Sequence, residues 1–318
     1  MTDEARVRAF VELMSAAFPD AGGAVTDAAE VRRVAAANRR PVADPVQVSS
    51  VENRKIDGPA GPIPIRIYTP PPGDTPPAIV VFLHGGGWVI CDLESHDRHA
   101  RMIATGAGAV VVSVDYRLAP EHRFPAALDD AYAALGWTAA HAAELGADAA
   151  RLAVAGDSAG GNLAAAVAIA ARDRGGPPIA FQLLVYPVTD HRFDTTSYRD
   201  NGTGEWFLTE QHMRWYWDQY LGPGGDGTDP LASVLRADLH DLPPAFVMTG
   251  EHDPLRDEGE AYAAALRAAG VDVDSHRATG MFHGFFCLDD VLPDAADPTR
   301  VAIDALATAL RPRPDRTA

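Results

Sequence analysis

Residues 151–171 read RLAVAGDSAGGNLAAAVAIAA, an apolar run that stops at a serine set between glycines and resumes as an alanine-rich stretch of helical composition. Apolar strand formers followed at once by strong helix formers predict a strand up to Gly156 and a helix after Ser158, with the serine on the turn between them. Gly-Asp-Ser is ordinary turn chemistry, and a serine there can simply cap the helix. The sharper reading is an elbow of the form G-x-S-x-G, a cramped strand-to-helix turn that pushes the hydroxyl outward. Small residues two before and two after the serine relieve the clash such a turn creates. Which reading holds depends on whether the rest of the chain supplies partners for Ser158.

Outward from this junction the same rhythm repeats. Short apolar strands are expected at 78–83 (AIVVFL), 109–116 (AVVVSVDY), 151–156 (RLAVAG), 180–187 (AFQLLVYP), 244–250 (PAFVMTG) and 271–278 (VDVDSHRA). Helical runs lie near 96–107, 126–142, 159–173, 256–269 and 297–311. Continuous apolar strands alternating with helices imply an α/β fold, a largely parallel sheet covered on both faces. Ahead of it, VQVSSVENRKI and IPIRIY flank the turn-rich DGPAGP and read as an antiparallel hairpin. The N-terminus adds two helices: one in which Val7, Phe10, Val11, Met14 and Phe18 recur at helical spacing, with Thr2 as its cap and Asp3 and Glu4 in its first turn, and one from after Thr26 to before Pro41. Residues 188–230, with the aromatic stretch EWFLTEQHMRWYWDQYLG, belong to no strand–helix–strand unit and are expected to form a lid. The expected organisation is N-terminal cap helices in 1–44, a catalytic domain from 45–187 and 231–318, and a cap insertion at 188–230.

Composition narrows the function. The 318 residues carry 27 basic and 44 acidic side chains, a formal charge of −17, which disfavours binding to nucleic acid and to anionic membranes. The opening MTDEARVRAF has no apolar signal core and no run reaches a membrane span, so a cytoplasmic protein with no membrane insertion is expected. Cys91 and Cys287 are too few for a disulfide framework or a four-thiolate zinc site and are expected to be free thiols. The single lysine is Lys55, and Gly161 stands three after Ser158, which excludes a serine–lysine hydrolase of the S-x-x-K type.

A serine hydroxyl needs a histidine to take its proton, and the histidine needs an acid to fix its tautomer. In α/β-hydrolases the chain order is serine, acid, histidine. Here the strand after the lid leads into TGEHDPLRDEG and the next into ATGMFHGFFCL, which puts Asp253 and His283 at the carboxyl ends of two later strands, in that order. Glu251 and His252 neighbour Asp253, but adjacent side chains diverge, so at most one of the three faces the site. His96 and His99 in SHDRH read better as part of a helix start capped by Ser95 than as metal ligands, since an acidic third ligand at metal spacing is missing, and no metal or cofactor is expected. The glycines of FLHGGGWVI, 85–87, let the backbone turn N–H groups into the cavity, where they can hold an oxyanion. Ala159, the residue after the serine, supplies another.

With these blocks in place the sequence resembles the bacterial hormone-sensitive-lipase-like esterases, in their GDSAG subgroup, a branch of the α/β-hydrolases. HGGGW, VDYRLAPEHRFPAALDDAY, GDSAGGNLA, YPVTD, EHDPLRDEG and HGF carry the resemblance over residues 45–310. It implies an eight-stranded, mostly parallel sheet flanked by helices, with a helical cap made of the N-terminal helices and the insertion after the sixth strand. By position it implies Ser158 as nucleophile, Asp253 as acid, His283 as base, and the N–H groups of Gly86, Gly87 and Ala159 as oxyanion donors, with Gly85 an open alternative to one of the first two. Asp115, Tyr116 and Arg117 look like supporting residues beneath the site. Cys91 departs from the pattern, standing where the family commonly has a small residue such as glycine.

The expected function is a cofactor-independent serine carboxylesterase acting on small esters by way of an acyl-enzyme. Trp88 and the cap aromatics Trp206, Phe207 and Trp215, with Tyr216 and Trp217 near them, are expected to confine an apolar pocket suited to short- and medium-chain acyl groups, unless they pack the cap onto itself. An amidase or peptidase with the same triad and a non-catalytic small-molecule receptor are the rival readings. A monomer or a homodimer paired through the last strand is expected. Cys91 and Cys287 each follow a site loop by four residues, which puts both thiols on the face that carries the serine.

Overall fold

The computed structural model describes residues 3–39 and 44–312. Thr2, expected to cap the first helix, and Pro41, expected to stop the second, lie outside the described residues. The first helix, α1, runs Asp3–Ala17 and the second, α2, Ala28–Ala37, capped by the Asp27 carboxylate, which accepts from the Glu30 N–H at 2.8 Å. Strands β1 (Ser50–Gly58) and β2 (Gly61–Thr69) form the hairpin that the turn residues predict. The alternating series follows: β3 Ala78–Leu83, α3 Asp97–Ala107, β4 Ala109–Val114, α4 Ala126–His141, β5 Leu152–Asp157, α5 Ala159–Arg174 and β6 Phe181–Val185. The excursion after β6 holds α6 Thr196–Asn201 and α7 Glu210–Leu221, and the series closes with β7 Ala245–His252, α8 Arg256–Ala268, β8 Val273–Phe282 and α9 Ala296–Ala309.

One eight-stranded sheet results, in the order β1-β2-β4-β3-β5-β6-β7-β8. The pairs β1–β2 and β2–β4 are antiparallel, and every pair from β4 to β8 is parallel. Strand side chains alternate between two cores, as the pleat requires. Ile79, Val81, Leu83, Val110, Val112, Val114, Leu152 and Val154 face α4, α5 and α8, whereas Val80, Phe82, Val111, Ala153, Ala155 and Met248 face α3 and α9. Burial on both faces is why these strands read as unbroken apolar runs.

Five carboxyl strand ends differ from expectation by one to four residues, β4 stopping at Val114 instead of 116, β5 running to Asp157 instead of 156 and β7 to His252 instead of 250. The sixth strand stops at Val185 instead of 187, because Tyr186 turns the chain at φ +34°. The last strand extends to Phe282, past an irregular register between Gly250 and His252 at the point where β7 delivers the acidic loop. The helix after β3 begins at Asp97, and Ser95 does not cap it: its hydroxyl bonds the Asp92 carbonyl at 2.8 Å and accepts the Asp92 N–H at 2.9 Å. Among the described residues no helix is long and apolar enough to cross a membrane.

Candidate active site

The elbow exists because two strand ends are crowded together. Ser158 has φ +54° and ψ −120°, and its N–H donates to the Val185 carbonyl at 2.9 Å. A Cβ at Gly160 would overlap the Leu83 carbonyl oxygen, and one at Gly156 would lie 2.7 Å from that same atom. Gly160 is therefore required by the end of β3, whereas Gly156 is required first by the turn itself, where its Cβ would overlap the Gly160 carbonyl. With the backbone forced into this shape, the serine side chain stands clear at the carboxyl edge of the sheet.

Three side chains meet there. His283 Nε2 lies 2.9 Å from Ser158 Oγ, and His283 Nδ1 lies 2.8 Å from Asp253 Oδ2. The other Asp253 oxygen accepts the Leu255 N–H at 2.8 Å, so a fully buried carboxylate has both oxygens engaged. Glu251 turns away and accepts the Gly280 N–H at 2.7 Å, and His252 stacks on Trp206. Of the three adjacent candidates only Asp253 faces His283.

The glycine loop bends over Ser158 from the other side. Gly86 and Gly87 have φ +109° and +58°, and the Gly86 carbonyl accepts from the Val89 and Ile90 N–H groups at 3.0 and 2.9 Å. The Gly85 N–H donates to Asp157 Oδ1 at 3.0 Å and is thereby engaged. The N–H groups of Gly86, Gly87 and Ala159 have no partner among the described residues. Burial works against the Asp157 charge, but His96, 3.4 Å away, with His99 and His84 behind it, holds the carboxyl down at about 2. Asp157 is therefore an anion that fixes the start of the loop, a role the sequence reading missed because the residue was visible there only as the letter before the serine. Arg32 of α2 holds the loop's far end, its Nε donating to the Val89 carbonyl at 2.6 Å.

The aromatic residues separate into two groups. Trp88 has no accessible surface: its ring lies parallel to Tyr220 at 4.1 Å and against Trp217 at 4.7 Å. Trp88 therefore packs the loop onto the cap and does not line a pocket, a correction to the expectation above. Trp215 is also turned inward, its indole N–H donating to the Thr26 carbonyl at 3.0 Å. Trp206 is buried against His252. Tyr216 rests on Gly87, where any Cβ would overlap its ring, and Phe207 Cε1 reaches to 3.9 Å from the position a Cβ would take at Gly284. Tyr186, which the sequence reading did not single out, sets its ring 4.7 Å from that of His283. Its signal was present in YPVTD, but nothing in the letters announces a positive φ.

Among known proteins, residues 80–287 match the profile of a family described by its α/β hydrolase fold. The chain is 48% identical over 256 residues to Carboxylesterase NlhH of Mycobacterium tuberculosis, covering 78% of this chain and 79% of that protein. It is 46% identical over 263 residues to Esterase LipI of the same organism, covering 80% and 81%. A thermostable esterase from Pseudomonas putida, known as a crystal structure, matches with a TM-score of 0.90 at 39% identity over 97% of this chain and 98% of that one.

Proposed function

The chain belongs to the α/β-hydrolase family, as one of its carboxylesterases, and on that premise we propose that Ser158, His283 and Asp253 form its catalytic triad. The observation that carries the assignment is the unbroken line Ser158 Oγ to His283 Nε2 to His283 Nδ1 to Asp253 Oδ2, at 2.9 and 2.8 Å. His283 takes the Ser158 proton as Oγ attacks the ester carbonyl, while Asp253 keeps Nδ1 protonated and stabilises the imidazolium. The carbonyl oxygen, now an oxyanion, accepts from the N–H groups of Gly86, Gly87 and Ala159. His283 then gives its proton to the leaving alcohol. Water, deprotonated by the same histidine, releases the acid from Ser158. Gly85 is not a donor in this scheme, because its N–H is held by Asp157.

The substrates are small esters, and we assign the acyl preference to short and medium chains. Support comes from the crowding: Ser158 is 8% exposed, with Tyr216 over Gly87 and Phe207 over Gly284. We take 1–44 and 188–230 as one cap over a body of 45–187 and 231–318. The two cap pieces are joined by Trp215 to Thr26 and by Gln211 to Asp20 at 2.7 Å. Two unpaired cysteines fit a reducing compartment, and the cytoplasm is the proposed location. A monomer or homodimer is the proposed state.

A panel of p-nitrophenyl esters and anilides tests this reading. Ester turnover should fall by on the order of 10⁴ or more in Ser158→Ala, with residual catalysis from the oxyanion donors, and anilides should be poor substrates of the wild type. Undiminished turnover in Ser158→Ala overturns the triad. Anilide cleavage at ester rates moves the protein to the amidases.

A further inference from the structure

The acyl-transfer scheme leaves one feature of the cap unused, the turn at Trp206 and Phe207. Phe207 has φ +74°, a region that bulky side chains rarely enter, and the Leu208 N–H donates to the Trp206 carbonyl at 3.0 Å to close a strained three-residue turn. Consecutive side chains ordinarily point apart. Here both reach the catalytic body.

The Trp206 ring lies face to face on His252, centroids 3.8 Å and planes 1° apart. Phe207 reaches Gly284. His252 immediately precedes Asp253 and Gly284 immediately follows His283, so Trp206 stacks on the chain neighbour of one triad residue and Phe207 stands beside that of the other, its Cε1 3.9 Å from where a Cβ of Gly284 would sit. Helix α1 backs the pair. With one face of Trp206 covered by His252, the Arg8 guanidinium lies over the other at 4.4 Å, itself bonded to Glu4 at 3.1 Å. Phe18, just past the end of α1, meets Phe207 edge-on at 5.3 Å.

We propose that Trp206 and Phe207 are positioning residues for the hydrolysis: seated together, they fix the loops that carry Asp253 and His283, so that docking of the cap completes the triad geometry. An aromatic residue that only filled space would not need the φ of Phe207. A strained conformation persists where its surroundings demand it, and what this one achieves is to set Trp206 on one loop while Phe207 stands beside the other. The proposal rests on the triad assignment above.

The test compares kcat and KM for p-nitrophenyl acetate and octanoate in wild type, Trp206→Ala, Trp206→Phe and Phe207→Gly. Competent sites are counted by titration to completion with a fluorophosphonate, so that misfolded protein is excluded. Acetate is too short to need an acyl wall. The expected result is a fall in acetate kcat per titrated site of about 10- to 100-fold in Trp206→Ala, with KM within about twofold, because small misplacements of reacting groups act on the rate. Trp206→Phe, which keeps a ring on His252, should recover most of it. Phe207→Gly, which relaxes the backbone but removes the contact, should also lose rate. Wild-type acetate kcat in Trp206→Ala, with changes confined to octanoate KM, overturns the proposal and leaves Trp206 as a pocket wall. That result with an inactive Ser158→Ala removes the positioning role alone, whereas an active Ser158→Ala removes the triad on which it rests.

Discussion

On one side of Ser158, Asp253 meets His283 at 2.8 Å, and on the other Asp157 meets His96 at 3.4 Å. Both aspartates are buried, and both stand at the carboxyl end of a parallel strand, β7 and β5. The two pairs differ in what lies beyond them. The second nitrogen of His283 faces Ser158 Oγ, a group free to react, whereas that of His96 faces Ser95 Oγ at 2.9 Å, a hydroxyl already tied to Asp92. The backbone contacts of the two carboxylates differ in the same way: Asp157 holds Gly85 at the start of the glycine loop, and Asp253 holds Leu255 at the root of α8. An aspartate–histidine pair is thus catalytic or architectural according to the third group it meets. In the proposed mechanism the first pair moves a proton and the second aims backbone dipoles.

Amide substitution at each aspartate is the strongest way to break this distinction. Asp253→Asn keeps the shape but presents the imidazole with the wrong partner for its tautomer, and kcat on a p-nitrophenyl ester should fall by on the order of 10⁴. Asp157→Asn retains an oxygen that can accept from Gly85, so the expected loss is only about tenfold, with KM little changed. Equal losses in the two variants would show that both pairs belong to one proton path.

The regions that bear these pairs were legible in the sequence to different degrees, for a physical reason. The elbow announces itself because part of its constraint is local and steric: a Cβ at Gly156 would overlap the carbonyl of Gly160, four residues on, and the small residue at Gly160 that the turn calls for is the one that the Leu83 carbonyl also demands. The strands announce themselves through burial on both faces. Trp88 and the cap aromatics do not, since a tryptophan beside a glycine loop reads identically whether it lines a cavity or stacks on Tyr220. The roles of Asp157 and His252 depend on partners 72 and 46 residues away in the chain, Gly85 and Trp206, which no pattern of letters pairs. The steric half of this contrast can be tested by stability. Gly160→Ala should destabilise the fold by about 3 kcal/mol or more, since rigid backbone must move. Gly136→Ala, mid-helix in α4 with nothing near its would-be Cβ, should stabilise it by roughly 0.5–1 kcal/mol. Similar urea midpoints for the two variants would remove the claim that β3 dictates the elbow.

The architectural side also predicts how stability responds to acid. His84, at the start of the glycine loop, is fully buried; Nδ1 donates to the Gly85 carbonyl at 2.8 Å, and Nε2 has no hydrogen-bond partner among the described residues. A second proton would have no acceptor. Burial, with His96 nearby, pushes His84 down from 6.5 to about 4. The unfolded chain therefore binds a proton below pH 6.5 that the folded chain refuses until about pH 4, and stability falls across that window. For His84 alone the loss should reach at most about 3 kcal/mol by pH 4. Asp157 acts at lower pH: its depressed value stabilises the fold above 3.8, and that contribution disappears as pH falls toward 2. Urea unfolding at pH 7, 5.5 and 4.5 should show the decline, and His84→Asn should lessen it, the remainder falling to His99, which burial pushes down from 6.5 to about 3. An unchanged slope in that variant would transfer the effect to other groups.

The smallest effect is expected at Cys91, which joins the loop to the departure seen in the sequence. Its φ is +72°, in the left-handed region where glycine is at ease, which is a physical reason for the small residue that the family resemblance implies here. Cys91→Gly should relax the backbone while forfeiting some packing, so stability should change by less than about 1 kcal/mol and ester turnover should be retained. Proximity to the serine suggests a reactive thiol, but the environment argues otherwise. Burial pushes the Cys91 thiol up to about 12 and the fully buried Cys287 well above its ordinary value. At pH 8 very little of either cysteine would be thiolate, the nucleophilic form. N-ethylmaleimide should therefore leave the folded enzyme active over hours. Rapid inactivation that is absent in Cys91→Gly would mean that the loop opens enough in solution to hydrate the thiol, and the rigid oxyanion floor on which the contrast between the two aspartates depends would have to be given up.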